Sequence, residues 1–319
     1  MKKELYRKLE SAIYGLAIGD ALGVPVEFHD RDSLLEKPVK DMRGYGMYML
    51  PPGTFSDDTS LSLATLDGLA KHGYKPRKIA NNFIKWLFKG KYAIDRNVFD
   101  VGTTTRKSIL EMKVVDNPIF CGRTHEKSKG NGSLMRILPL AFYIKTKQKI
   151  SESKVKELCY ELSDFTHHTL ECEMACHFYV KFALKLIDNK TSVKESYIET
   201  CDEFIDIYKN DKKVDNDTFA LFDRILNKEL VSLNMNDIKS SGYVIDSLEA
   251  AVWCLLTSNS YKETVLKAVN LGRDTDTIAS ISGGLAGIVY DKNGIPKEWI
   301  EKLRGKNIIK KVLFFSKLM

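Results

Sequence analysis

The 319-residue sequence lacks the features that mark secreted, membrane-spanning and nucleic-acid-binding proteins. No stretch approaches the roughly 18 apolar residues of a transmembrane helix, and the charged residues 1–4 lack a signal-peptide core. Six cysteines show no extracellular framework, and Cys172 and Cys176 have no second Cys/His pair to close a tetrahedral metal site. The net charge of +7 is spread along the chain, without the clustered stripe of a nucleic-acid-binding surface. We therefore expect a cytoplasmic monomer whose partners are neither nucleic acid nor membranes.

Strand patterns and internal repeats are also missing. Apolar residues recur instead at helical spacing, for example between Leu5 and Ala17 and between Ile79 and Leu87. The hydrophobic fraction of 44% is sufficient for a sizeable core. The sequence therefore predicts one all-α domain over residues 1–319. Residues 30–52, which are polar and have no sustained period, are predicted to form a long loop over one face of it.

Two acidic clusters are present, each at the start of a predicted helix. Asp274, Asp276 and Thr277 precede a run of small and apolar residues. Ser56, Asp57 and Asp58 precede another helical run. One interpretation is N-terminal capping and interaction with the helix dipole. The other is that the two clusters meet around two divalent ions, because neighbouring carboxylates repel unless cations lie between them.

A glycine-rich segment at residues 129–136 has the character of an anion-binding loop. Gly130 and Gly132, together with Asn131 and Ser133, would let backbone N–H groups approach a phosphate, and Arg136 would add positive charge. The alternative is an ordinary Gly/Asn turn. The segment matches neither the P-loop nor the dinucleotide-binding motif, so it does not indicate an NTPase or a Rossmann fold.

The first predicted helix carries Gly15, Gly19 and Gly23 along one side, which suggests that another backbone packs closely against it. Asp20 shares its apolar face and is a candidate buried acid.

Three other residues have two interpretations each. Glu27 is either a solvated loop carboxylate or a site residue, Asp100 either a helix cap or a site residue, and His167 either a structural side chain or a ligand-binding one.

Six segments together resemble the ADP-ribosylglycohydrolases, a family that includes the dinitrogenase-reductase-activating glycohydrolase. Any one of them is weak evidence, but all six occur in the family's order and extend over nearly the whole chain. They are GLAIGDALGVPVE (15–27), FSDDT (55–59), FDVG (99–102), GNGSLMR (130–136), GYVIDSLE (242–249) and NLGRDTDT (270–277).

The resemblance implies a compact orthogonal helical bundle with a binuclear Mg²⁺ or Mn²⁺ centre. It also implies that the loop 130–133 holds a diphosphate and that His167 and Tyr243 line an ADP-ribose cleft. Ser56 stands where the family more often has Thr, and because a hydroxyl is retained we expect its ligand role to be kept. Arg273 stands where the family often has Gly, which affects the expected local substrate contacts. The implied metal ligands are Ser56, Asp57, Asp58, Asp274, Asp276 and Thr277.

The implied reaction is hydrolysis at C1″ of the distal ribose, which releases ADP-ribose from a modified protein side chain, foremost arginine. Glu27 and Asp100 would serve as general acid and base, in an order that the residues do not assign. Serine-linked or small-molecule ADP-ribose derivatives are alternative substrates. A metallophosphoesterase and an inactive ADP-ribose-binding protein are the alternatives of other classes.

Overall fold

The computed structural model describes residues 1–147, 149–317 and 319, and within them the chain is α-helical. These residues contain no β-strand, only two isolated bridges, Arg123 with His167 and Gly130 with Tyr243. The all-α, single-domain prediction is therefore confirmed. The α-helices are α1 Lys3–Gly23, α2 Arg31–Glu36, α3 Asp57–His72, α4 Pro76–Lys89, α5 Thr103–Glu111, α6 Leu138–Lys145, α7 Glu152–Ser163, α8 Leu170–Asp188, α9 Val193–Tyr208, α10 Asn216–Ala220, α11 Asp223–Leu226, α12 Val244–Leu256, α13 Tyr261–Val269, α14 Thr275–Tyr290, α15 Lys297–Lys302 and α16 Lys306–Ser316.

Helices α1 and α14 form the centre of the fold and run antiparallel with their backbones in close contact. A Cβ atom added at Gly19 would lie 2.0 Å from the carbonyl oxygen of Ala279, and one added at Gly15 would lie 2.3 Å from that of Gly283. Neither position can carry a side chain unless the helices move apart. The predicted close packing along the glycines of α1 is thus confirmed, and its partner is the small-residue helix near the end of the sequence.

This packing brings three helix ends together. Asp20, near the end of α1, accepts hydrogen bonds from the backbone N–H groups of Ser56 (2.8 Å) and Thr59 (3.0 Å) at the start of α3. Thr275, the first residue of α14, donates its hydroxyl hydrogen to the carbonyl oxygen of Gly23 at 2.9 Å. The two acidic clusters of the sequence therefore lie side by side at one end of α1.

The structure corrects the expectation that no stretch approaches a transmembrane helix, because α1 is the one described helix that is long and apolar enough to cross a membrane by length and composition, counted over residues 3–26. Its apolar window is 94% buried by the rest of the fold, as is expected of a core helix.

The structure corrects the prediction of a continuous loop over residues 30–52. Residues Arg31–Glu36 form the short helix α2, whose N-cap Asp30 accepts a hydrogen bond from the N–H of Ser33 at 2.8 Å. Only Leu34 of this helix is buried, so six residues offered no apolar period to detect. Residues 37–56 contain no helix, and within them Tyr48 contacts Glu27.

All six cysteines are buried and free. This confirms that Cys172 and Cys176 act as small apolar residues on a helix face.

Candidate metal and substrate site

A cavity of about 760 Å³ is lined by the starts of α3, α5 and α14 and by the glycine-rich loop. Most of the residues predicted for the site contribute to its wall. These are Glu27, Asp57, Asp100, Gly130, Asn131, Gly132, His167, Asp274 and Thr277. The predicted residues Ser56, Asp58 and Asp276 are buried next to this wall.

Beneath the cavity, three carboxylates converge with no basic side chain between them. Single oxygen atoms of Asp20, Asp58 and Asp276 lie within 4.8 Å of one another, and all three residues are fully buried. Asp20 is satisfied by donors from the start of α3. In contrast, Oδ1 of Asp58 and both carboxylate oxygens of Asp276 have no hydrogen-bond partner among the described residues. Buried carboxylate oxygens of this kind are normally matched by a cation.

A second trio overlaps the first. Oxygen atoms of Glu27, Asp274 and Asp276 also lie within 4.8 Å of one another, so Asp276 belongs to both groups. Burial, followed by the negative charge of neighbouring carboxylates, raises the pKa of Asp58 and Asp276 well above the ordinary range. Two adjacent oxygen-rich groups that share one carboxylate suit a pair of hard divalent cations such as Mg²⁺ or Mn²⁺.

The hydroxyls of the two clusters face the same carboxylate. Ser56 and Thr277 each donate to Oδ2 of Asp58 at 3.3 Å. Ser56 is also the N-cap of α3 and accepts a hydrogen bond from the N–H of Asp58, so capping and metal binding are compatible at this residue. The capping interpretation is wrong for Asp274, whose side chain makes no cap hydrogen bond and instead accepts one from Asn131 Nδ2 at 2.7 Å.

Glu27 and Asp100 are joined by a residue that the sequence did not indicate. The hydroxyl of Tyr48 lies 2.6 Å from Oε2 of Glu27 and 2.7 Å from Oδ1 of Asp100. Burial, and then the charge of Asp100, raises the pKa of Glu27 to about 8, although the hydrogen bond from Tyr48 opposes the shift. Asp100 is not a helix cap, since Gly102 occupies the N-cap position of α5.

The glycine-rich loop is fixed by contacts on both sides. The N–H of Asn131 donates to the carbonyl oxygen of Gly242 at 3.0 Å, and its side-chain amide donates to Asp274 and to Ser247. A Cβ atom at Gly132 would lie 2.7 Å from Cε1 of His167, so glycine allows the imidazole to approach the loop. The glycine-rich loop therefore contacts both Asp274, at the start of α14, and His167.

His167 is 3% exposed and neutral. Burial, followed by the nearby Arg136, lowers the pKa of its imidazole to about 3. Thr166 Oγ1 accepts a hydrogen bond from Arg136 at 2.8 Å and lies 2.8 Å from Nδ1 of His167, which favours a proton on Nε2, beside Gly130. Arg136 itself is fully buried against the end of α7, so the prediction that its charge would face an anion in the cavity is wrong.

Two of the residues predicted to bind substrate do not contribute to the cavity wall. Ser133 is fully buried and its hydroxyl accepts a hydrogen bond from Ser163 at 2.9 Å. Tyr243 is half-buried and forms a backbone bridge with Gly130.

The wall includes several residues that were not predicted, above all Phe28, Lys127 and the start of α5 at Thr103. Arg273 also lines the cavity and has φ +63°, a left-handed conformation that is rare for arginine. Its backbone accepts a hydrogen bond from Phe28 N–H at 2.7 Å and donates one to His29 O at 2.6 Å. Glycine would adopt this turn without strain, whereas arginine places a guanidinium at the cavity.

Comparison with known proteins gives a consistent family. The family model described as ADP-ribosylglycohydrolase matches residues 1–317. The chain is 31% identical over 314 residues to the ADP-ribosylarginine hydrolase Tri1 of Pseudomonas putida, covering 96% of this chain and 76% of that protein. It is 27% identical to the ADP-ribosyl-[dinitrogen reductase] glycohydrolase of Rhodospirillum rubrum, covering 92% and 88%. A solved structure titled ADP-ribosylglycohydrolase-related protein complex superposes with a TM-score of 0.77 at 26% identity, covering 100% and 99% of the two chains.

Proposed function

The chain belongs to the ADP-ribosylglycohydrolase family, enzymes that hydrolyse ADP-ribose linkages, and we propose that its own substrate is ADP-ribosylated arginine on a protein. The likeness to two proteins named ADP-ribosylarginine hydrolase, at 31% and 30% identity, supports this choice of linkage. The structural observation that carries the proposal is the pair of overlapping carboxylate trios beside a cavity of about 760 Å³.

Two divalent ions, Mg²⁺ or Mn²⁺, fit these trios because buried oxygen atoms of Asp58 and Asp276 otherwise lack partners. Their ligands would come from the carboxylates of both clusters and from two hydroxyls. When bound, such ions supply positive charge that orients ribose hydroxyls and increases the acidity of a nearby water molecule. The residues that the resemblance assigns to hold them are Ser56, Asp57, Asp58, Asp274, Asp276 and Thr277. Of these, Asp58, Asp274 and Asp276 belong to the trios.

The chemical step breaks the bond between C1″ and a guanidinium nitrogen and forms a bond between C1″ and the oxygen of water. One proton leaves the water and one reaches the departing nitrogen. We assign the exchange of these protons to Glu27 and Asp100, and the position of both carboxyl groups within hydrogen-bond distance of the Tyr48 hydroxyl supports this assignment. Their negative charge also favours the oxocarbenium character that develops at C1″.

The opposite part of the cavity suits the diphosphate of ADP-ribose. Gly130 and Gly132 expose backbone there, and the neutral His167 offers Nε2–H as a donor. Lys127 and Arg273 are the basic side chains of this wall within the described residues, and both can reach a dianionic group. The cavity therefore has an acidic end for the ribose and a donor-rich end for the phosphates.

The decisive experiment measures release of ADP-ribose from arginine- and serine-ADP-ribosylated peptides, with Mg²⁺, with Mn²⁺ and with chelator. We expect metal-dependent release from the arginine peptide. Release from the serine peptide alone would show that the enzyme cleaves the serine linkage and not the arginine linkage. Binding of ADP-ribose without release from either peptide would identify an ADP-ribose-binding protein. Absence of both release and binding would refute the proposed function.

A further inference from the structure

A second cluster of ionisable side chains lies outside the cavity, where α7 ends and α8 begins. Asp164 is the C-cap residue of α7, Glu173 lies in the first turn of α8, and His168 belongs to the connection between them. One donor atom from each lies within 4.8 Å of the others. Nε2 of His168 is 3.8 Å from Oδ2 of Asp164 and 3.8 Å from Oε1 of Glu173.

The two carboxylates of this cluster have no strong cationic partner. The side chain of Glu173 is 10% exposed, lies 3.8 Å from His168 and accepts a hydrogen bond from the protonated carboxyl group of Asp164. Oδ1 of Asp164 is buried and has no partner. Lys156, which borders the same region, is paired with Asp211 at 2.5 Å. Two facing carboxylates in this setting need either a shared proton or a bound cation.

Burial, and then the facing charge of Glu173, raises the pKa of Asp164 to about 10, and burial also raises the pKa of Glu173. Both shifts favour a proton shared by the two carboxyl groups, and a metal ion that binds here would displace that proton into solvent.

We propose that Asp164, His168 and Glu173 form a binding site for a divalent transition-metal ion of the Zn²⁺ type. One imidazole nitrogen and two carboxylate oxygens are donors that Zn²⁺ accepts, whereas Mg²⁺ prefers oxygen alone. Ligands at about 2.1 Å in tetrahedral geometry lie about 3.4 Å apart, so the observed 3.8 Å separations close with movements of a few tenths of an ångström. This site shares no residue with the acidic clusters of α3 and α14.

An adjacent cavity of about 750 Å³ gives an ion access from solvent and room for water as a further ligand. Leu170, Tyr160 and Asp211 lie in its wall together with the three ligands. His168, the ligand that reaches the surface, has a side chain that is 43% exposed.

An ion in this position would fasten the end of α7 to the start of α8. The segment that it fastens carries His167, the residue before His168, and this segment is otherwise held by backbone hydrogen bonds to both sides of Arg123. The consequence is a more rigid turn behind the substrate cavity. The ion would act on the shape of the turn and take no part in bond breaking.

The test is the zinc content of the purified full chain. Chelator-treated protein is dialysed against Zn²⁺ in a large excess of Mg²⁺, and bound zinc per chain is measured by atomic spectroscopy. His168→Ala and Glu173→Gln are compared with wild type, and His72→Ala, an exposed histidine at the end of α3, is the matched control. Any zinc held by the acidic clusters of α3 and α14 is common to all four proteins. The comparison therefore uses only the difference in zinc per chain between them.

We expect wild type and His72→Ala to hold one zinc equivalent more than His168→Ala and Glu173→Gln. Zinc should also raise the Tm of wild type by more than it raises the Tm of His168→Ala. Equal zinc content in wild type and His168→Ala would overturn the proposal and leave a shared proton as the explanation of the cluster. Since His168 is partly exposed, its replacement leaves the core intact even if Glu173→Gln fails to fold. The outcome is independent of whether the chain hydrolyses ADP-ribose.

Discussion

Replacing Tyr48 with phenylalanine removes one hydroxyl from the substrate cavity and leaves the ring in place. The ring packs against Phe99 with centroids 4.9 Å apart, a contact that phenylalanine preserves. The hydroxyl lies 2.6 Å from Glu27 and 2.7 Å from Asp100, yet it carries a single hydrogen. One charge-assisted hydrogen bond is worth about 1.5–3 kcal/mol, so we expect kcat to fall by roughly 10- to 150-fold.

The pH dependence of Tyr48→Phe gives a second readout. The hydrogen bond from Tyr48 lowers the pKa of Glu27, so its removal must move that pKa further above about 8. If Glu27 acts as the base, activity rises as it ionises, and the acidic limb of the kcat/KM profile moves to higher pH. If it acts as the acid, activity falls as it ionises, and the alkaline limb moves to higher pH. The limb that moves identifies the role of Glu27.

Tyr45→Phe is the matched control because Tyr45 lies in the same segment and is 62% exposed. It should leave kcat and the pH profile unchanged. If Tyr48→Phe behaved like this control, the view that Tyr48 positions the two carboxylates would be refuted. Retained substrate binding in Tyr48→Phe, measured as an unchanged Kd for ADP-ribose, would separate loss of positioning from loss of the cavity.

Three further predictions concern the centre, the core and the periphery. Asp276→Ala, like chelation of wild type, should abolish metal-dependent turnover, while circular dichroism of the variant stays helical; unchanged activity would exclude the binuclear scheme. Gly19→Ala should lower the free energy of unfolding in urea by about 1–3 kcal/mol because its Cβ would meet a carbonyl oxygen at 2.0 Å. Gly102→Ala, whose nearest contact would be at 3.8 Å, should change it by less than about 1 kcal/mol, and equal losses in both would contradict the packing argument. Burial raises the pKa of Glu152, but hydrogen bonds from a neighbouring imidazole and from Lys181 prevail and lower it to about 2. The stability that Glu152 contributes is therefore present above its unfolded pKa of 4.5 and is lost as the pH falls towards 2. Glu152→Gln should therefore make the free energy of unfolding depend less on pH in this range. An unchanged pH dependence would show that the hydrogen bonds of Glu152 contribute nothing to stability.

Much of the site could be predicted from sequence because its parts are local. Asp57 with Asp58, and Asp274 with Asp276, are near neighbours in the chain, and each pair begins a helix. A short polar segment before an apolar run indicates both the start of a helix and a cluster of acidic residues. That the two clusters meet was inferable from the cost of leaving several carboxylates without counter-charge and from the family resemblance.

The features that were missed depend on contacts distant in sequence. Tyr48 lies 21 residues from Glu27 and 52 from Asp100, in a segment without a repeating pattern, so nothing local marks its hydroxyl. The burial of Arg136 depends on the position of α7, whose carbonyl oxygen at Leu162 accepts from it. Arg136 follows the glycine loop in sequence as an anion-binding residue would, and only the packing shows that it turns inward.

The contact between Gly23 and Thr275 has a consequence for the synthesis of this protein. These residues are 252 positions apart, and the helix that begins at Thr275 covers α1, the one described helix that is long and apolar enough to span a membrane. At typical translation rates of about 5–20 residues per second, roughly 10–50 s pass between the synthesis of α1 and that of α14. During that interval a ribosome-bound chain exposes an apolar surface and lacks half of its candidate metal ligands. Chaperone binding to the nascent chain, and activity that begins only once α14 has been synthesised, are the expected cellular signs of a fold that α14 closes.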